Sequence, residues 1–114
     1  MKITDFEKLY KDYFPVGQGW KKLVLKLVKN LIKIDPEIEV MQVKEKFGGL
    51  RFYINGVTRK NVEEVYRLIT EAEIESYYIC ENCGTKDKVT TKPICGWLLT
   101  LCSKCRKERE KSNS

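Results

Sequence analysis

Two short repeats constrain this chain more than anything else in it. Cys80-Glu-Asn-Cys83 and Cys102-Ser-Lys-Cys105 are both C-x2-C, and 18 residues separate them. Cysteines at i and i+3 of a tight turn aim both sulfurs at one point, and Gly84 helps the backbone double back. Two such turns close a tetrahedron of soft thiolates around a single ion, with Zn–S near ~2.3 Å. The spacing therefore predicts structural zinc on Cys80, Cys83, Cys102 and Cys105, with segments 86–92 and 94–101 as the strands of a zinc ribbon. It does not exclude an iron–sulfur cluster. A redox C-x-x-C pair is the poorer reading, because no βαβ pattern surrounds it. The fifth cysteine, Cys95, shares strand parity with Trp97, Leu99 and Leu101 and reads as a small buried hydrophobe.

A site closed by four thiolates leaves the metal no open position for water or substrate. The chain also lacks histidine, the commonest general base and the partner of a Cys–His dyad. No other constellation points to catalysis, so a protein that is not an enzyme is expected.

The remaining chain must supply an ordinary core. Its 114 residues suit one compact unit with a metal-stapled appendage, and 42% hydrophobic with 33% charged residues reads as globular. Residues 3–14 are predicted helical, with Thr4 and Glu7 as a capping box and Ile3, Phe6, Tyr10 and Tyr13 on one face. A second helix is expected from Trp20 to about Ile34, where Trp20, Leu23, Val24, Leu27, Val28, Leu31 and Ile32 keep helical spacing. Lysines line its opposite side, and Asp35-Pro36 ends it. Strands are expected at 38–46 and 50–55. A third helix spans 61–76, with Val62, Val65, Tyr66, Ile69 and Ala72 inward and a Glu/Arg ladder outward. The predicted fold is α+β: a helix–helix–hairpin–helix core over 1–76, a zinc ribbon over 77–106 and a flexible tail over 107–114.

The hairpin is where a ligand surface is legible. In "VKEKFGGLRFY", a two-residue turn at Gly48-Gly49 would set Lys46 opposite Arg51. One face then carries Met41, Val43, Phe47, Leu50, Phe52 and Ile54, with Glu45 as its single polar member. The other carries Gln42, Lys44, Lys46, Arg51, Tyr53 and Asn55. Lys46 against Arg51 is a like-charge pair that a bound anion would relieve. Lys44, Lys46, Arg51 and Tyr53 are thus the candidate ligand-binding residues, Arg51 on a phosphate and Tyr53 stacked on a base.

Net charge agrees with an acidic partner. The chain carries +6 with a pI near 9.1, reduced to about +4 by four thiolates and a dication. Nucleic acid or another phosphate ligand fits that balance. The competing expectation is a protein-interaction regulator, using the aromatics Tyr10, Tyr13 and Phe14 or the ribbon. Lys2, Asp5, Glu7 and Lys8 interrupt any N-terminal apolar stretch, which argues against a signal peptide, and no segment is fit to span a bilayer. A cytoplasmic protein with reduced cysteines is expected.

Taken together, "GQGWKKLV", "QVKEKFGGLRFYING", "EAEIES" and "CENCG…GWLLTLCSKC" resemble a family of small bacterial and phage proteins. Its marks are a VKEKFGGLRFY-type hairpin and a C-terminal pair of zinc knuckles. The likeness runs from about residue 15 to 106, and the hairpin is its most specific part. It implies Cys80, Cys83, Cys102 and Cys105 as the metal set. Some members of the family end in a mixed Cys/His knuckle, where this chain has cysteines only. It brings no established activity, but a phage association implies a small regulator or counter-defence protein acting on a host complex.

Overall fold

The computed structural model describes residues 1–112, and among them lie four α-helices and two antiparallel hairpins, an α+β arrangement. A 3-10 turn at Ile3–Asp5 leads into a short helix α1, Phe6–Leu9. A second 3-10 turn, Gln18–Trp20, opens α2 at Lys21–Ile34. Strands β1 (Glu39–Lys46) and β2 (Gly49–Asn55) form the first hairpin, followed by α3, Val62–Ser76. Strands β3 (Val89–Ile94) and β4 (Trp97–Cys102) form the second, and α4, Ser103–Ser112, leaves it directly. That helix extends well into the segment read from sequence as a tail, and residues 113 and 114 lie outside the described residues.

The main core forms where α2 and α3 cover one face of the first hairpin. Trp20, Val24, Val28 and Leu31 of the α2 segment meet Val43, Leu50 and Phe52 of the sheet and Val65 and Ile69 of α3. The periodicity of α2 anticipated this face closely. For α3 the inward stripe is Val65, Ile69, Ala72 and Ser76, while Val62 and Tyr66 stand exposed. A smaller second core holds Cys80, Ile94, Leu101, Cys102 and Cys105. None of the helices among the described residues is long and apolar enough to cross a membrane.

Three expectations need correction. The first helix is far shorter than 3–14, and neither the 3-10 turn before it nor α1 itself has a side-chain cap bond. Tertiary pairing wins there. Lys2 bridges Glu39 at the outer edge of β1, and the Ile3 N–H donates to Ile38 O at 2.9 Å, so the chain starts extended. Pro15 then bars a helical Phe14. Phe14 is buried and Tyr10 packs on Phe6 at 4.8 Å, so only Tyr13 of those three aromatics stands fully in solvent.

The hairpin turns at Phe47-Gly48, not Gly48-Gly49. Both residues have positive φ, 54° and 82°, as a type I′ turn requires. The register moves by two, which pairs Lys44 with Arg51 and Lys46 with Gly49. A shift of two preserves face parity, so the sidedness of residues 43–46 and 50–53 survives. A bulge between Val40 and Gln42 turns Val40 inward and leaves Met41 exposed.

Cys95 is exposed rather than buried. It forms the type I′ turn of the second hairpin with Gly96, at φ 50° and 85°, so strand parity does not carry through it.

Candidate metal centre and basic hairpin face

The two knuckles reach one point from different elements. Cys80 and Cys83 sit in the loop after α3, where the Gly84 N–H closes onto Cys80 O at 2.9 Å. Gly84 adopts φ 83°, which glycine takes without the penalty of a Cβ. Cys102 ends β4, and Cys105 lies in the first turn of α4. All four Sγ atoms lie within 4.8 Å of one another. The 3.8 Å between Cys83 Sγ and Cys102 Sγ far exceeds a disulfide bond. It equals the edge of about 3.8 Å that a tetrahedron with ~2.3 Å metal–sulfur bonds would have. The donor set and its spacing therefore fit one tetrahedral metal ion.

Hydrogen bonds prepare these sulfurs for negative charge. The Cys83 N–H donates to Cys80 Sγ at 3.5 Å and the Cys105 N–H to Cys102 Sγ at 3.4 Å. Asn82 Nδ2 donates to Cys105 Sγ at 3.3 Å. Burial pushes the Cys80 thiol up, but N–H donors from Cys83, Cys102 and Asn82 outweigh it and bring the group down to about 7. At Cys105 the Asn82 amide favours the thiolate. Burial and the neighbouring sulfurs override it and push the thiol up to about 12. A second thiolate beside the first is costly, and a dication removes that cost. Loading metal at neutral pH must therefore expel protons.

The centre is stitched to the main core. Trp20 Nε1 donates to Ile79 O at 2.9 Å, and the Gly19 N–H donates to Glu81 O at 2.9 Å. A side chain at Gly19 would overlap Cys80 O and the Gly84 nitrogen. The glycines of "GQGW" thus let the turn before α2 lie against the first knuckle. From the other side, Thr100 Oγ1 donates to Gly48 O, and Thr91 and Thr100 hydroxyls share a 2.7 Å bond. A Cβ on Gly48 would come to 2.7 Å from Thr91 Cγ2, while one on Gly49 would overlap the Tyr77 ring. The paired glycines of the hairpin serve this docking as well as the turn.

The motif "EAEIES" has a similar structural use. Ser76 Oγ accepts the Leu50 N–H at 3.0 Å, and Glu73 Oε2 accepts the Phe52 N–H at 2.9 Å. These side chains satisfy the edge of β2 that β1 leaves open. Glu45 also finds its partner, since its Oε1 accepts the Gly48 N–H at 2.7 Å across the turn.

The four candidate ligand residues lie along the outward side of the hairpin. Lys44 is directly opposite Arg51, and its Nζ sits 5.5 Å from the Tyr53 ring centroid. Lys46 instead reaches toward the tip, 5.6 Å from the Phe47 centroid. Arg51 Nη1 donates to Leu50 O at 3.1 Å, and among the described residues no carboxylate forms an ion pair with Lys44 or Arg51. Sequence reasoning missed Arg106. Its guanidinium bonds to Thr90 O, Lys92 O and Leu99 O, clamping α4 across the second hairpin. It missed Asn82 too, although a polar amide between two knuckle cysteines was the available signal.

Comparison with protein-family models, curated proteins and solved structures finds no match to this chain.

Proposed function

We propose that the chain is a non-catalytic, zinc-stabilised binding protein. Zinc on Cys80, Cys83, Cys102 and Cys105 makes the second hairpin a zinc ribbon. The outward face of the first hairpin contacts nucleic acid or another phosphate-bearing ligand through Lys44, Lys46, Arg51 and Tyr53. The resemblance to small phage and bacterial proteins rests on motifs and lends no activity.

The observation that carries the ligand reading is the Lys44–Arg51 pair, which no carboxylate bridges. Like charges directly opposed across two strands are destabilising. A phosphate between them turns that repulsion into two charge-assisted hydrogen bonds, and the Arg fork suits bidentate contact. Zinc is supported by four sulfur donors at tetrahedral spacing. It would act as a staple rather than a reagent.

The test has two arms. Metal content of the purified protein should be one zinc per chain, lost when Cys83 and Cys102 are both replaced by serine. Labelled oligonucleotides should bind at about 50 mM salt and release steeply by about 200 mM. Lys44→Glu with Arg51→Glu should abolish that binding without unfolding the chain. Iron in place of zinc would refute the metal assignment. Absence of binding at the lower salt would refute the phosphate surface and direct the search to protein partners.

A further inference from the structure

The tip of the first hairpin carries a residue that local physics disfavours. Phe47 occupies the first central position of a type I′ turn at φ 54°, a left-handed conformation suited to Asn, Asp or Gly. For a bulky side chain this is a genuine outlier. The ring itself gains no burial in return, being 66% exposed. Strained backbone that displays an apolar ring to water points to a use for that ring outside the fold.

Its neighbours indicate the use. Running along the outward side of the hairpin, Tyr53 carries the Lys44 ammonium and Phe47 carries that of Lys46, with Arg51 between them. Three cations, Lys44, Arg51 and Lys46, therefore lie between two aromatic rings along one track. Beyond the turn, Gly48 packs close to Leu98 of the second hairpin, and the adjoining Trp97 is 72% exposed. Double-stranded nucleic acid hides its base faces in the stack. Only an unpaired strand offers a base face to a ring at a hairpin tip, while its phosphates reach the lysines and Arg51.

We propose that Phe47 is a stacking platform for a base of single-stranded nucleic acid, so that the hairpin prefers single strands to duplex. This deepens the phosphate-surface reading above and rests on it.

Phe47→Asn tests it well, because asparagine suits the turn better than phenylalanine. Thermal melting should show the variant at least as stable as the parent. Its affinity for oligo-dT and oligo-U, measured by anisotropy, should fall about tenfold or more. Its salt slope should stay unchanged, because no phosphate contact is lost. Phe47→Tyr should retain binding, which separates the ring's role from any change in the turn. Lys44→Glu with Arg51→Glu should lose affinity and flatten the slope. Comparing the two oligomers distinguishes RNA from DNA as the source. If Phe47→Asn binds like the parent while the charge variant does not, stacking is overturned and the phosphate surface stands. Equal affinity of the parent for duplex and single strand likewise overturns the proposal. No binding by any protein removes both readings.

Discussion

Asp35 shows how one buried side chain can tie two helices together. It is 2% exposed at the end of α2, and burial pushes its carboxyl up. Hydrogen bonds from the Thr58 N–H at 2.7 Å, Asn61 Nδ2 at 3.2 Å and the Glu37 N–H at 3.1 Å outweigh that burial. The group is thereby held below its ordinary value of 3.8. Between the lowered value and 3.8 the unfolded chain binds more protons, so stability from this group is present above that window and lost as pH falls through it. Asp35→Asn turns a donor toward donors and should cost about 1–3 kcal/mol at neutral pH. Its urea-unfolding free energy should also lose part of the decline below pH 4. At Gly19 the constraint is steric. Gly19→Ala would drive a methyl into the Cys80 carbonyl and should cost about 1–3 kcal/mol or more in the same measurement.

Among the elements, the second hairpin depends on side chains outside it. Arg106 of α4 bonds to carbonyls of both strands, and hydrogen bonds involving a charged group contribute about 1.5–3 kcal/mol. Arg106→Ala should therefore speed amide exchange in residues 89–94 and 97–102 while leaving β1 and β2 protected. Equal loosening of both hairpins would mean the clamp is not local. The first hairpin depends in the same way on α3 through Glu73 and Ser76. Ser76→Ala leaves the buried Leu50 N–H without its acceptor and should expose β2 to exchange selectively.

At the scale of the molecule, two small cores share one set of seams. The radius of gyration is 15.1 Å, against about 13 Å for a compact unit of this length. The elongation reflects a second, smaller core set beside the main one. Yet Gly19 and Gly48 each bond to the smaller unit, so the two should not melt separately. Removing metal with a strong chelator should lower the melting temperature of α2 and α3 along with the second hairpin, in one transition seen by far-ultraviolet dichroism. Two separated transitions would show independent units. Metal retention should weaken toward acid pH, because each thiolate ligand must stay deprotonated.

Local chemistry was enough to read α2, both hairpins and the four-cysteine cluster. Their patterns have short periods: helical spacing at Leu23–Leu31, alternation along each strand of the first hairpin, and two sulfurs per turn. The sidedness of the central hairpin was legible for the same reason, since parity outlives a register error of two. What the sequence could not settle depended on partners far along the chain. The first helix starts late because Met1–Ile3 pairs beside β1. The turn moves to Phe47 because Gly48 and Gly49 must lie against Thr91, Thr100 and Tyr77. Cys95 and Phe47 stand outside because both hairpins close through left-handed pairs. In each case a residue's local preference competed with a contact more than twenty-five residues away, or with the geometry of closure, and packing of the whole chain decided the outcome.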